Sequence, residues 1–142
     1  MSSINKQIVR REVEELINQG DYGLFDELIG DGYVAYDPTE PEPLRGRDAY
    51  RESLDTFRNA FPDLHVRIDE QIAEGDKVAT RWTMTGRHDG DLFGIPATGR
   101  QVEVTGISIE RLVDGTIVED HMELDTLGLM RQLGAVPNEA AP

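Results

Sequence analysis

The chain has 142 residues, enough for one domain whose core can enclose a cavity and too few for two ordinary domains. Its 28 acidic residues outnumber its 14 basic ones, and the resulting formal net charge of −14 would repel nucleic acid and acidic lipid. The absence of cysteine excludes disulfides, thiolate nucleophiles and zinc–thiolate sites.

Two helices are predicted ahead of the first strand. Between Ile4 and Gln19, apolar residues recur at helical spacing, and charged residues lie between them. This apolar stripe consists of Ile4, Ile8, Val9, Val13, Leu16 and Ile17. Asp21 is predicted to cap a second, short helix, which Gly30 and Gly32 end.

The N-terminal segment also bears on location. It is polar and charged from its first residues, without the apolar segment of a secretion signal. No apolar run in the chain approaches the roughly 20 residues that span a bilayer. We therefore predict a cytoplasmic protein that does not enter a membrane.

A short extended segment, a loop and a third helix follow. Residues 33–37 are predicted to be extended, and the three prolines between Pro38 and Pro43 predict a loop at the mouth of a pocket. From Arg47 to Phe61, apolar residues recur every three or four positions, and Pro62 prevents the helix from continuing.

From Leu64 onwards the apolar period changes to two, which indicates strands. Turns at residues 74–76 and 113–115 and a loop at residues 89–100 divide this region into four strands. A short helix capped by Asp125 and closed by Gly134 ends the fold. We predict one α+β domain over residues 1–136, a curved antiparallel sheet packed against N-terminal helices, and a loose tail over residues 137–142.

The turn between the last two predicted strands decides which side chains share a face of the sheet. A two-residue turn at Asp114 and Gly115 would set Glu110 directly opposite Glu119. Like charges directly opposite each other destabilise a sheet, so we do not favour this register.

The alternative is a three-residue loop over residues 113–115, with its glycine in the left-handed conformation. This register sets Ser108 opposite Asp120 and Gly106 opposite Met122, and it is the one we favour. It puts four side chains on one face, namely Ser108, Glu110, Asp120 and Met122.

Four motifs distributed over most of the chain carry a family resemblance. They are Thr85-Gly86-Arg87-His88, Phe93-Gly94-Ile95-Pro96-Ala97-Thr98-Gly99, Asp114-Gly115-Thr116-Ile117-Val118-Glu119 and Leu127-Gly128-Leu129-Met130-Arg131-Gln132-Leu133-Gly134. Their order and spacing resemble those of the SnoaL-like polyketide and ester cyclases, within the nuclear-transport-factor-2-like superfamily. The resemblance implies a cone-shaped α+β barrel, a pocket between sheet and helices, and a homodimer or higher oligomer.

The resemblance also implies an activity that uses no metal and no organic cofactor. These cyclases close a ring by intramolecular aldol condensation, in which a carboxylate on the final strand removes a proton next to a carbonyl. In this chain the position of that base falls on Met122, which cannot take a proton. A neighbouring position that is often histidine in relatives falls on Asp120, and a histidine of the preceding strand falls on Ser108.

Two residues are predicted to be catalytic. A carboxylate in an apolar pocket loses hydration, so the pKa of Asp120 should rise and allow it to act as a base near neutral pH. The competing interpretation of Asp120 is a buried acid that only bonds Ser108 or an arginine. His88 is a candidate acid because imidazole titrates near neutrality, although a histidine at a strand end more often meets solvent.

Further residues are predicted to bind the substrate. Trp82 and Met84 would form an apolar wall with Met122, although a lone tryptophan in a strand is more often part of the core. Ser108 shares the face of Asp120, and Tyr36 would place a hydroxyl at the pocket mouth.

We predict no metal site. Glu119, His121 and Glu123 alternate along one strand, and alternate residues of this kind more often form a solvated face. A second histidine is missing nearby.

The leading hypothesis is a cofactor-independent enzyme that acts on a small, largely apolar carbonyl compound. One alternative is a non-catalytic carrier or sensor of small molecules, suggested by Met122 at the expected base position. Another is an isomerase or an epoxide hydrolase of the same fold, which would need Arg81 or Arg87 to point into the pocket beside Asp120. The alternation of residues along the strand argues against that arrangement.

Overall fold

In the computed structural model, which describes residues 2–137, helices cover one face of a six-stranded sheet. The elements in chain order are α1 (Ser2–Arg11), a π-helical segment (Glu12–Ile17), a 3₁₀ turn (Tyr22–Leu24), α2 (Phe25–Leu28), β1 (Ile29–Tyr36), β2 (Leu44–Arg45), α3 (Gly46–Ala60), β3 (His65–Glu74), β4 (Lys77–Arg87), β5 (Gln101–Val113), β6 (Thr116–Leu124) and α4 (Thr126–Gln132). The predicted α+β class is confirmed. All of the predicted tail except Pro137 lies outside the described residues.

The sheet has the strand order β2-β1-β6-β5-β4-β3 and does not close into a barrel. Strands β3 to β6 form an antiparallel meander, as predicted. Strand β1, however, pairs in parallel with β6, so the sheet is mixed rather than wholly antiparallel. Parallel neighbours require a long crossover, and here the whole segment from β2 to β5 connects them.

The N-terminal region differs from the prediction at its second helix. Asp21 precedes the 3₁₀ turn, but its side chain makes no capping hydrogen bond. Helix α2 ends at Leu28, and Gly30 and Gly32 lie inside β1 instead of ending a helix. The two glycines tolerate extended backbone as readily as a helix end, so their presence alone did not distinguish the two outcomes.

The core lies between the helices and the concave face of the sheet. Val9, Val13 and Leu16 of the predicted N-terminal stripe are buried in it, whereas Ile4 is 54% exposed. Helix α4 contributes Leu129, and Leu133 follows directly behind it. In the described part of the chain, no helix is long and apolar enough to cross a membrane.

Candidate active site

The β5–β6 hairpin orients the predicted site residues. Its turn is the two-residue type, because Val113 pairs with Thr116, and Asp114 and Gly115 have φ values of 50° and 81°. This is the left-handed geometry of a type I′ turn, so the three-residue loop that we favoured is wrong.

A β-bulge then shifts the pairing of β5 and β6 by one residue. Leu112 pairs with Ile117 but Arg111 pairs with Glu119, so Val118 is an extra residue on β6. Beyond the bulge, Ser108 lies opposite Met122 and Glu110 lies opposite Asp120, which differs from both predicted registers. The predicted common face is nevertheless confirmed, because these four residues all line one cavity.

The cavity lies between the concave face of the sheet and the helices, and its volume is about 170 Å³. Most of its wall is apolar and comes from helices and sheet alike, with Val13, Ile17, Ala35, Leu44, Leu54, Phe57, Leu64, Val66, Trp82, Met84, Met122 and Leu124. Its polar lining includes Glu12, Tyr33, Asp37, Tyr50, Ser53, Thr80, Ser108, Glu110 and Asp120. The cavity is therefore apolar with a group of acids and hydroxyls.

Glu12, Tyr50 and Glu110 lie together at this polar lining. Glu12 is 3% exposed, and it accepts a 2.7 Å hydrogen bond from the Tyr50 hydroxyl. Glu110 is 2% exposed and is a close neighbour of Glu12, so two buried carboxyls lie side by side here. Burial raises the pKa of Glu12 and raises that of Glu110 well above its usual range, and the charge of Glu12 adds to the effect on Glu110.

Asp120 faces the same cavity from β6. Burial raises the pKa of Asp120 well above its usual range, and the charges of Glu12 and Asp37 raise it further. Its Oδ1 atom is buried, and nothing in the described part of the chain hydrogen-bonds to it. A buried polar atom without a partner is costly, so Asp120 is poised to bond a ligand in the cavity.

Trp82 and Ser108 are joined across β4 and β5. The indole Nε1 of Trp82 donates a 3.2 Å hydrogen bond to the hydroxyl of Ser108. This bond satisfies the one polar atom of the indole, so its rings can form part of the cavity wall. Met84 and Met122 extend that wall, as the sequence predicts.

Tyr36 lies at the edge of the cavity lining, but its ring faces the other way. It is 41% exposed and stacks on His121 at the outer face of the sheet, with ring centroids 4.4 Å apart. Its predicted part in substrate binding stays a prediction. Asp37, the next residue, begins a turn by accepting hydrogen bonds from the backbone N–H and hydroxyl of Thr39.

His88 lies outside the cavity lining, so the structure does not bring it together with Asp120. It is fully buried rather than solvent-facing, because the loop after β4 folds back over it. Its Nδ1 accepts from the backbone N–H of Thr98 at 3.2 Å, and its ring lies beside Phe61. The arrangement fixes this loop, and the predicted catalytic role of His88 has no support from its position.

Sequence reasoning missed Glu12 and Tyr50 as site residues. A signal for Glu12 was present, since it lies four residues after Ile8 and four before Leu16, inside the apolar stripe of the first helix. Tyr50 belongs to the apolar repeat of α3, which gives no sign that its hydroxyl would bond a residue as distant in sequence as Glu12.

The outer face of the sheet carries the remaining charged candidates. His121 and Glu119 lie 3.1 Å apart on this face, and Arg81 and Arg87 pair there with acidic neighbours. Neither arginine lines the cavity, so the described residues lack the arginine that the epoxide-hydrolase alternative requires. Within residues 2–137, no group of three or more potential ligands is placed to hold a metal ion.

Comparisons with known proteins find relatives over most of the chain. The family model for SnoaL-like polyketide cyclases matches residues 7–133. An aklanonic acid methyl ester cyclase of Streptomyces peucetius is 37% identical over 130 residues, which cover 89% of this chain and 88% of that protein. A nogalonic acid methyl ester cyclase of Streptomyces nogalater is 32% identical over 122 residues, covering 82% and 88%.

Solved structures show the same fold. TsrD of Streptomyces laurentii superposes with a TM-score of 0.83 and 33% identity, covering 94% of this chain and 97% of that one. A SnoaL-like protein of Jannaschia sp. CCS1 superposes with a TM-score of 0.87 and 25% identity, covering 96% and 95%.

Proposed function

Because this chain belongs to the SnoaL-like polyketide cyclase family, we propose that it closes a ring in a small, largely apolar carbonyl compound by general acid/base proton transfer. The observation that carries this proposal is Asp120, an acid with a buried, unpartnered oxygen facing an apolar cavity. A base with a raised pKa is well matched to removing a proton next to a carbonyl near neutral pH. No step of this chemistry calls for a metal or organic cofactor.

The substrate class follows from the relatives and from the cavity. The names of two relatives refer to the methyl esters of aklanonic and nogalonic acid, which supports an esterified polyketide as the substrate. The apolar wall would hold the carbon skeleton of such a compound. Trp82, Met84 and Met122 are proposed to contact it, with Ser108 fixed behind them by the Trp82 indole.

Replacing Asp120 tests the proposal. Wild type is expected to convert aklanonic or nogalonic acid methyl ester into an isomer of the same mass, followed by chromatography and mass spectrometry. The Asp120→Asn variant should lose about 100-fold or more in kcat, the usual contribution of a positioned acid or base. Its matched control is Glu123→Gln, which removes one charge from the exposed outer face of the same strand. Equal turnover by wild type and Asp120→Asn would remove Asp120 from the mechanism.

A non-catalytic carrier or sensor is the second candidate, and Met122 at the family's base position is the observation that favours it. Trp82 is the one tryptophan of the chain and lines the cavity, so its fluorescence reports ligand entry. A carrier would quench this fluorescence on binding either ester and release the compound unchanged. An enzyme would release an isomer.

We also propose that the protein acts in the cytoplasm as a homodimer. On the outer face of the sheet, Ile72, Ile107 and Ile109 are 61%, 47% and 45% exposed. Exposed apolar side chains on one sheet face are typical of an interface between subunits. Sedimentation of wild type tests this proposal, with a variant carrying Ile107→Lys and Ile109→Lys expected to sediment as a monomer.

A further inference from the structure

We propose that Glu110 is a second catalytic residue of this site, the acid that delivers a proton to the newly formed alkoxide while Asp120 acts as the base. The inference rests on the proposed ring-closing function and deepens it. It assigns the two proton transfers of one reaction to two side chains on neighbouring strands.

The geometry of the hairpin supports this division. Glu110 on β5 lies directly opposite Asp120 on β6, and both line the cavity. Directly opposed side chains in an antiparallel pair have Cβ atoms roughly 5 Å apart, so one ligand can contact both. Each acid has a buried oxygen without a partner in the described structure, Oε2 of Glu110 and Oδ1 of Asp120. A ligand in the cavity could hydrogen-bond to both atoms at once.

The surroundings ensure that the pair holds a proton. The groups that face it are Glu12 from the π-helical segment, Tyr50 from α3, and Tyr33 and Asp37 from β1 or its end. Within residues 2–137, the lining contains no lysine, arginine or histidine to neutralise a second negative charge. Two ionised carboxylates side by side in such a cavity repel each other strongly, so one of them stays protonated.

The chemistry balances without any other reactant. The Asp120 carboxylate removes a proton from the carbon next to one carbonyl, and the C–H electron pair becomes an enolate. The enolate carbon forms a C–C bond to the second carbonyl carbon, whose π electrons move onto its oxygen as an alkoxide. Glu110 gives its proton to this alkoxide, and the product is a hydroxyl-bearing isomer of the substrate. Asp120 then holds a proton and Glu110 is ionised, so a transfer from Asp120 to Glu110 restores the starting state.

Glu12 is a positioning residue in this scheme. Its carboxylate accepts a hydrogen bond from the Tyr50 hydroxyl, and its charge raises the pKa of the neighbouring Glu110. An ionised Glu110 beside Glu12 is the less favourable arrangement, which favours return of the proton from Asp120 after each turnover. Glu12 thereby acts through Glu110 and need not contact the substrate.

The kinetic test uses variants of Glu110 in the full-length protein with aklanonic acid methyl ester as the probe. A reaction that needs one carboxylate and one carboxylic acid gives a bell-shaped dependence of kcat/KM on pH. Glu110→Gln should lose about 100-fold in kcat and lose the alkaline limb of the bell, since an amide has no proton to release. Glu110→Asp keeps a carboxyl and should retain that limb, whereas a purely structural Glu110 predicts an unchanged profile in both variants.

A second measurement requires no turnover and separates the two proposals. Carboxyl ¹³C NMR follows the titration of each acid, and Asp120→Asn should shift the Glu110 titration to lower pH, because the charge of Asp120 is one of the causes that raise the pKa of Glu110. Glu123→Gln should leave the Glu110 titration in place. If Glu110 titrates identically in Asp120→Asn, the pair is uncoupled and the inference about Glu110 is overturned. If the coupling is present but neither ester is converted and Trp82 fluorescence reports binding alone, the ring-closing function is overturned, and with it the catalytic role of Glu110.

Discussion

Gly106 determines how the single tryptophan packs against the sheet. It pairs with Trp82 across β4 and β5, and a Cβ atom at this position would overlap the indole ring and lie 2.8 Å from the carbonyl oxygen of Glu123. Both the indole and the neighbouring backbone would have to shift to make room for a methyl group. We expect Gly106→Ala to lower the free energy of unfolding by about 1–3 kcal/mol, the usual cost of overpacking. Urea unfolding measures this change.

The same substitution should also displace the indole from the cavity wall, which shifts the emission maximum of Trp82. Gly32→Ala is the matched control, because a Cβ there meets no atom within 4 Å and its φ is not in the left-handed region. We expect that control to change stability by no more than about 0.5 kcal/mol. If Gly106→Ala keeps the free energy of unfolding and the emission maximum of wild type, the methyl group does not displace the indole and the prediction is wrong.

At the scale of single residues, alternation along the strands predicted the part of the cavity wall that β4, β5 and β6 provide. Trp82, Met84 and Met122 line the cavity because successive strand side chains point to opposite faces, and this period is visible in sequence. The environment of His88 was not visible, because it depends on a loop that returns from ten residues away. The partnership of Glu12 with Tyr50 depends on two helices meeting, which no local pattern encodes.

At the scale of elements, α4 depends on its N-terminal cap. The carboxylate of Asp125 accepts a 2.8 Å hydrogen bond from the backbone N–H of Gly128. This helix has only seven residues and packs Leu129 into the core, so its stability depends on its ends. We expect Asp125→Ala to lower the free energy of unfolding by about 1 kcal/mol, measured by urea denaturation.

Asp125→Asn is the control for the cap. Asparagine also accepts a hydrogen bond at this position and caps helices about as well as aspartate. The asparagine variant should therefore remain close to wild type. Equal losses in the alanine and asparagine variants would assign the effect to charge rather than to the hydrogen bond.

The elements themselves were predictable, but their register was not. The sequence Asp114-Gly115 favours a two-residue hairpin, which the structure adopts. The bulge at Val118 sets Asp120 rather than Glu119 opposite Glu110, so an acidic pair is present all the same, and the like-charge argument failed because the structure accommodates two facing acids. Ile117 and Val118 are both apolar, so the alternation of residues did not reveal which of them is the extra one.

At the scale of the whole molecule, long-range pairing decides what local patterns leave open. Strand β1 extends the meander at its β6 edge and runs parallel to β6, and this pairing aligns Ala35 with Asp120. The segment from Ile29 to Tyr36 carries no mark of a parallel neighbour, because its pairing partner lies more than 80 residues further on. The consequence is a polar region of the cavity lining, to which β1, β5, β6 and two helices each contribute an acid or a hydroxyl.

This concentration of buried acids predicts how the stability of the whole protein depends on pH. The pKa values of Glu12, Glu110 and Asp120 are raised in the folded state by burial, so the folded chain keeps protons that the unfolded chain releases near pH 4. Their contribution to the free energy of unfolding is therefore fully present below about pH 4 and is lost as pH rises towards the folded pKa values. Asp69 acts in the opposite sense, since hydrogen bonds from Thr83 and Arg67 lower its pKa.

Asp120→Asn isolates the acid cluster from these other contributions. The amide cannot ionise, so the variant should have a larger free energy of unfolding than wild type at pH 8. The difference should be about 1.4 kcal/mol for each pH unit between the unfolded and the folded pKa of Asp120, counted up to pH 8. At pH 4 the difference should vanish, because the wild-type carboxyl is then protonated as well. Glu123→Gln removes the same formal charge from the exposed face of β6, and its effect should vary much less with pH. Urea unfolding of wild type and the two variants between pH 4 and pH 8 measures how the free energy of unfolding of each protein changes with pH. If this change is the same for Asp120→Asn and wild type, Asp120 titrates alike in the folded and unfolded chains.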